Sequence, residues 1–372
     1  MRIGFDAKRI VANGTGLGSY GRTLVNSLSA LATTDEFLLY APNEGRRDLR
    51  EQVELRENVR FVYPEKRSVP FYQQYWRTHG VVNQLVLDEV DVYHGLSGEL
   101  PVGLRKSGIK GIVTIHDLIF LRHPEYYHWV DTKIYARKFR QTLCEAERII
   151  AISECTKRDI LHYSDFPADR IDVVYQSCGV RFTQHVSESK LQQVHADYAL
   201  PAHYLLCVGT IEERKNALLA VRALESLSEE WSLVILGRPT PYLKTLQTYT
   251  NQHGLTARVR FLHEVPNDDL PAIYQLADVF VYPSRYEGFG IPIIEAVQSG
   301  LPVVAATGSC LEEAGGPDSL YVDPDDAEGL ARAVECAVEE REERVRRSRE
   351  YVRRFENQDV ARQMLREYAK GE

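Results

Sequence analysis

The stretch Val279-Phe-Val-Tyr-Pro283, Glu287-Gly-Phe-Gly290 and Ile291-Pro-Ile-Ile-Glu-Ala-Val297 reads as a strand, a glycine loop and a helix in direct succession. A short run of Val, Phe and Tyr favours a buried strand. Glycine permits the turn, and Pro292 suits the first turn of a helix, where its missing N–H costs nothing. A strand that passes straight into a helix is half of a β-α-β unit, and such units build parallel sheets covered by helices on both faces.

The pattern recurs on both sides. Upstream, strands are predicted at Ile3-Gly-Phe5, Phe37-Leu-Leu-Tyr40, Val59-Arg-Phe-Val62, Val92-Tyr-His94, Ile112-Val-Thr-Ile115, Ile149-Ile-Ala-Ile152 and Ile171-Asp-Val-Val174. A second series follows at Leu205-Leu-Cys-Val208, Leu233-Val-Ile-Leu236, Val259-Arg-Phe261, Val279-Phe-Val281 and Val303-Val-Ala305, with helical windows such as Ala217 to Leu227 between them. The fold class is therefore α/β, with two Rossmann-like doubly wound domains facing a central cleft. Polar Ser187 to Pro201 is expected to be the linker. The boundaries fall at 1–186, 187–352 and 353–372, the last a helix packing back on the first domain. Charged residues with Val334, Ala337, Val338, Val345, Val352 and Phe355 at helical spacing make 327–369 a helical region with solvated faces.

Composition narrows the function. The length of 372 residues suits two domains, and 44% hydrophobic with 26% charged residues is ordinary for a folded protein. A net charge of -8 argues against nucleic acid as a partner. Six scattered cysteines without a Cys-x-x-Cys pair read as reduced core thiols. Without a signal-like or membrane-spanning run, the expected location is cytoplasmic, with the inner face of the membrane as an option. Phe71-Tyr-Gln-Gln-Tyr-Trp-Arg77 could provide peripheral membrane contact or meet a lipid-linked acceptor, but it reads more readily as a helix packing its aromatics inward.

Gly16-Leu-Gly-Ser-Tyr-Gly21 satisfies Gly-x-Gly-x-x-Gly, yet eight residues separate Phe5 from Gly14, and the second strand ends in Ala41-Pro-Asn43 without a ribose-binding acid. Both features speak against a nicotinamide site. A mobile glycine loop at Gly16 and Gly18 can still approach a phosphate or sugar.

After the strand ending at Val208 come Gly209, Thr210, Arg214 and Lys215, two adjacent cations suited to a leaving diphosphate. Amides of Gly290 and Ile291 at a helix start suit a phosphate. Glu287 and Glu295, with seven residues between them, suit hydroxyls of a sugar and a ribose. The implied ligand is a sugar nucleotide.

Glu287-Gly-Phe-Gly-Ile-Pro-Ile-Ile-Glu295, with Ser299-Gly-Leu-Pro-Val-Val304, resembles the Glu-x7-Glu signature of the retaining glycosyltransferases of family 4, which have the GT-B fold. Arg214-Lys-Asn216 resembles that family's diphosphate clamp, although Thr210 stands where many members carry Arg. Asn13-Gly-Thr-Gly-Leu-Gly18, Ile149-Ile-Ala-Ile-Ser153 and Val113-Thr-Ile-His-Asp-Leu118 resemble further family elements. Val92-Tyr-His-Gly-Leu-Ser97 with Glu99 resembles an acceptor-side loop of bacterial mannosyltransferases of polysaccharide or lipopolysaccharide synthesis, and Gly308-Ser-Cys-Leu-Glu-Glu-Ala-Gly315 the same subset.

The resemblance implies catalytic roles for His116, Arg214, Lys215 and Glu287. It implies donor contacts at Gly16, Gly18, Gly209, Thr210, Gly288, Phe289, Gly290, Ile291 and Glu295, and acceptor contacts at His94 and Glu99. It also implies transfer with retention of mannose from GDP-mannose to a glycan or lipid-linked acceptor. No cofactor is expected, and without an Asp-x-Asp cluster Arg and Lys replace a metal; Asp323-Pro-Asp-Asp326 reads as a helix cap. The alternatives are a sugar-nucleotide epimerase, a phosphorylase, or a non-catalytic nucleotide-sugar-binding protein.

Overall fold

A computed structural model describes residues 1–65 and 70–370. The chain divides into two compact units, Met1–Ser177 with Phe355–Glu372, and Cys178–Arg354.

The first unit holds a seven-stranded sheet of β1 (Arg2–Asp6), β2 (Glu36–Tyr40), β3 (Val59–Val62), β4 (Val92–Gly95), β5 (Lys110–Ile115), β6 (Arg148–Ala151) and β7 (Ile171–Val173), ordered β3-β2-β1-β4-β5-β6-β7. Every pairing is parallel, with Ile3 opposite Phe37 and Val92. Both faces are apolar. Phe37 and Leu39 enter one core, and Leu38 and Tyr40 enter the other. This two-sided burial explains why these strands read as continuous rather than alternating hydrophobic runs. The helix Asn357–Ala369 adds Val360, Ala361, Met364 and Tyr368 to the first of these cores.

The second unit repeats the plan with β8 (Tyr204–Val208), β9 (Ser232–Leu236), β10 (Val259–Leu262), β11 (Val279–Tyr282), β12 (Val303–Ala306) and β13 (Leu320–Val322), ordered β10-β9-β8-β11-β12-β13. Leu205, Cys207, Val279 and Val281 enter one core, while Leu206 and Phe280 are buried on the other face. Asp326 caps the helix Ala327–Glu339 by accepting from the Gly329 amide at 2.7 Å.

Two expectations are corrected. The segment 187–201 is no linker: Glu188–Asp197 is a helix of the second unit, with Val194 fully buried and Lys190 and Tyr198 bonded to Asp269 at 2.6 and 2.7 Å. The unit boundary lies at Ser177/Cys178.

The second correction concerns the glycines. Gly16 opens the 16-residue helix Gly16–Leu31, so Gly16 to Gly21 is helix and not a mobile loop. A Cβ on Gly18 would lie 1.8 Å from the Asn13 carbonyl oxygen, and one on Gly21 would lie 2.8 Å from the Ile10 side chain. These two glycines let the helix press against Lys8–Ala12. At Gly16 a Cβ would meet nothing within 4 Å.

Gly18→Ala is expected to cost about 2 kcal/mol or more, because a backbone must move to admit the methyl. Gly16→Ala should be neutral or stabilise by up to about 1 kcal/mol, since alanine has the better helix propensity. Melting temperatures of the two variants test this, and equal effects would contradict the packing role of Gly18.

Candidate functional site

In the second unit the loops after β8 and β11 converge, because those two strands are neighbours in the sheet. Gly209 has φ +150°, and a Cβ on Gly237 would lie 1.8 Å from its carbonyl oxygen, so both positions need glycine for the chains to cross. Thr210 is half-buried beside it. Asn216, left-handed at φ 53°, sends its side-chain amide to the carbonyls of Pro283 and Pro324 at 3.1 and 2.8 Å. Asn tolerates that backbone better than most residues.

So fixed, the first loop places Arg214 and Lys215 on Glu287. Lys215 Nζ lies 2.5 Å and an Arg214 guanidinium nitrogen 3.0 Å from Glu287 Oε1, which also accepts from Ser284 Oγ. Lys215 Nζ also donates to the Tyr282 hydroxyl at 2.9 Å, and Arg214 to Glu212 and the Tyr286 carbonyl at 2.7 and 2.5 Å. Burial alone would raise the Glu287 carboxyl, but the adjacent ammonium and guanidinium hold it down at about 2. Burial would lower Lys215 and Arg214, and Glu287 pushes both above their ordinary values instead.

Gly288, Phe289 and Gly290 carry the chain from Glu287 to the helix Ile291–Gln298, with Gly290 at φ 125° as its N-cap. Buried Cys310 supports this loop from beneath, its thiol 2.8 Å from the Phe289 carbonyl and 3.1 Å from that of Glu287. Within the helix, Glu295 accepts from the buried Tyr274 hydroxyl at 3.0 Å, and burial raises its carboxyl. Arg214, Lys215 and Glu287 are thus brought into direct contact. Sequence reading missed Tyr282, Ser284 and Cys310; only Ser284, three residues before Glu287, offered a local signal.

The first unit presents a separate set. His116 follows β5 and lies edge-on to Tyr20, with ring centroids 5.0 Å apart. Its Nε2 is 2.8 Å from the Leu96 carbonyl, which can only accept, so Nε2 carries the proton and Nδ1 accepts from Gln176 at 2.9 Å. Burial lowers this imidazole to about 4, so it is neutral at pH 7.

His94, expected on the acceptor side, is corrected. It is fully buried, with Nδ1 2.7 Å from the Tyr368 hydroxyl and Nε2 2.8 Å from Thr114 Oγ1, and burial lowers it to about 3. Both ring nitrogens are occupied inside the core, so His94 is a structural residue. Glu99 differs, because it remains partly open to solvent while paired with Arg77 and Lys138. Gly16 and Gly18 lie in the helix already described. Among the described residues no three His, Cys, Asp or Glu side chains group to hold a metal ion.

Removing Glu287 leaves the largely buried Lys215 without a counter-ion and Arg214 with Glu212 alone, so Glu287→Ala is expected to lose about 3–5 kcal/mol of stability. The depressed carboxyl stabilises the fold above its unfolded value, roughly 4.3. That contribution is lost as pH falls toward about 2. Melting curves between pH 5 and 2 should fall less steeply for Glu287→Gln than for the parent; parallel curves would contradict the ion cluster.

The sequence and fold match known proteins. The family described as "Glycosyltransferase Family 4" matches residues 15–178, and that described as "Glycosyl transferases group 1" matches 195–355. The Escherichia coli O-antigen chain mannosyltransferase B is 28% identical over 362 residues, 90% of both chains. The Salmonella typhimurium O-antigen chain mannosyltransferase RfbU is 27% identical over 245 residues, 66% of this chain and 65% of its own. Among solved structures, sucrose-phosphate synthase from Thermosynechococcus elongatus superposes with TM-score 0.80 at 20% identity, over 100% of this chain and 98% of its own. Anabaena Alr3699/HepE in complex with UDP superposes at 0.74 and 16%, over 99% of both chains. The chain is a glycosyltransferase of the GT-B type that resembles the bacterial O-antigen mannosyltransferases.

Proposed function

We propose that the enzyme transfers mannose from GDP-mannose, with retention, to a hydroxyl of a glycan or lipid-linked acceptor. The observation that carries a nucleotide-sugar donor is the ion cluster of Arg214, Lys215 and Glu287 beside the N-terminus of the helix Ile291–Gln298. Cations and helix amides there suit a diphosphate, and carboxylates on either side of the loop suit hydroxyls. Mannose follows from the likeness to the O-antigen mannosyltransferases.

In this reading Arg214 and Lys215 stabilise the departing diphosphate, with Gly209 and Thr210 beside it and the amides of Gly290 and Ile291 toward phosphate oxygens. Glu287 accepts from sugar hydroxyls and Glu295 from the ribose. His116 acts at the reacting centre as a neutral, fixed ring that orients rather than titrates, and Glu99 meets the acceptor. The acceptor hydroxyl attacks the face from which the diphosphate leaves; the anomeric C–O bond to phosphate breaks, the new glycosidic bond forms, and a phosphate oxygen takes the hydroxyl proton. The two cations do the work of a divalent metal.

Incubation with GDP-mannose and a mannose-terminated glycan should release GDP only in the presence of acceptor and give an α-linked product by NMR. A β-linked product would overturn retention. Activity should survive exhaustive chelation, and a loss restored by magnesium would overturn metal independence. Lys215→Ala should lower kcat/KM by about 10²–10³; full turnover would remove Lys215 from the clamp.

A peripheral membrane contact is part of the same reading. Phe71 is 85% and Trp129 68% exposed, and the helix Trp129–Glu145 adds exposed Val130 and Ile134 among Lys133, Arg137 and Arg140, against a net charge of -8 for the chain. Trp, aliphatic and cationic side chains together suit an anionic lipid surface. Among the described residues no helix is long and apolar enough to cross a membrane. Vesicles containing anionic phosphatidylglycerol should co-sediment the protein, and a Trp129→Ala, Lys133→Glu variant should bind several-fold more weakly. Equal recovery of the parent and the variant on the anionic vesicles would contradict the proposal.

A further inference from the structure

Outside the donor cluster, the first unit contains a second buried network of charge. Asp6 ends β1 and is almost wholly buried, and its Oδ2 pairs with Arg77 at 2.7 Å. The other end of the same guanidinium holds Glu99 Oε2. Lys138, from the helix Trp129–Glu145, holds Glu99 Oε1 at 2.9 Å. Arg77 thus bridges the end of β1 and the loop after β4, two strands that are sheet neighbours.

Several features distinguish this network from a plain structural ion pair. Arg77 lies in a single π-helical turn, Trp76–Gly80, a wider backbone than an α-helix and one found often at functional sites. Buried Trp76 anchors that turn against Tyr40. The Arg77 Nε is buried with no hydrogen-bond partner, an unfavourable arrangement that the network tolerates.

The Glu99 loop is held at several points. The Val102 amide donates to the Thr78 carbonyl in the π turn at 2.8 Å, the Gly98 amide to Thr114 at 3.0 Å, and Thr142 Oγ1 to the Gly98 carbonyl at 3.1 Å. Held in this way, the Glu99 side chain is still 27% exposed, whereas Asp6 is 3% exposed. Each Glu99 oxygen serves one cation and has a further lone pair for a hydroxyl.

We propose that Arg77 is a positioning residue for acceptor recognition, fixing the Glu99 carboxylate so that its open side accepts from a hydroxyl of the acceptor glycan. The proposal rests on the reading that Glu99 meets the acceptor. Arg77 itself touches no substrate; it acts through Glu99, with Asp6 neutralising its far end. The groups facing Glu99 are Arg77 from the π turn, Lys138 from the helix Trp129–Glu145, Lys8 from Lys8–Ala12 and Tyr93 of β4. Burial would raise the Glu99 carboxyl, and Arg77 and Lys138 hold it down at about 2. It is therefore ionised throughout the neutral range.

The test uses the full chain with GDP-mannose and octyl α-mannobioside as acceptor. Asp6→Asn, Arg77→Met removes the bridge without leaving Asp6 as an uncompensated buried charge, and circular dichroism verifies its fold. We expect the acceptor KM to rise about tenfold, equivalent to about 1.4 kcal/mol, with the donor KM within about twofold. The acidic limb of kcat/KM for acceptor should move up toward the ordinary carboxyl range, into roughly pH 4 to 6. Arg77→Lys, which keeps the charge, should return the limb most of the way. A merely structural role would lower the melting temperature and leave that limb in place. If Glu99→Gln raises the acceptor KM but the double variant moves neither KM nor limb, the positioning role is wrong. If Glu99→Gln leaves the acceptor KM unchanged, the acceptor reading of Glu99 fails and takes the inference with it.

Discussion

The constraint behind both charged clusters is the reversal of strand order at the centre of each sheet. In one unit the chain builds outward from β1 to β3 and then restarts on the other side at β4; in the other it runs from β8 to β10 and restarts at β11. Connections after the two central strands leave in opposite directions, so their loops part and open a crevice at the carboxyl edge. The charged side chains occupy those points. Asp6 ends β1 and Glu99 follows β4, and Arg214, Lys215 and Glu287 follow β8 and β11. A crevice lined by backbone ends and by amides at helix starts is polar by construction, so ions can be packed there without breaking an apolar face.

Packing them there has an energetic consequence. A buried ion pair stabilises little, because desolvation offsets most of the attraction, but losing one partner is costly. Without donor, Glu287 serves as the counter-ion of Arg214 and Lys215. In the proposed reading, a diphosphate arriving at those cations would compete with a carboxylate already in place and free Glu287 to accept hydroxyls of the sugar that arrives with it. The two cations are thus already held in place and balanced by Glu287, which on the proposed reading would limit the reorganisation left for transfer.

Much of this was legible in sequence, for physical reasons. Strands buried on both faces appear as unbroken apolar runs, so twelve strands were read where they lie, and the loop residues after β8 and β11 could be placed at sheet edges before any contact was known. β13 was missed because Leu320-Tyr-Val322 is three residues long and only half-buried. The helix Glu188–Asp197 was read as a linker because Val194 is the one buried residue it presents. Gly16, Gly18 and Gly21 fit a loop pattern literally, and only the Asn13 carbonyl and the Ile10 side chain show that Gly18 and Gly21 serve helix packing. Contacts between distant parts of the chain left no trace at all. His94 is satisfied by Tyr368, 274 residues away, and Arg77 meets Asp6 across 71 residues. Periodicity reports which face a residue lies on, not which partner it finds there.

Protonation joins the two clusters to the chemistry. Glu287 and Glu99 are held near 2 by adjacent cations, His116 near 4 by burial, and Lys215 above its ordinary value by Glu287. Each of these groups therefore keeps a single charge state across the neutral range. A general base must exchange a proton near the working pH, and these side chains are arranged to do the opposite. Such a set is suited to orienting hydroxyls and compensating a leaving diphosphate while the proton passes to the phosphate itself. That is the division of labour that the proposed front-face transfer with retention asks of its side chains.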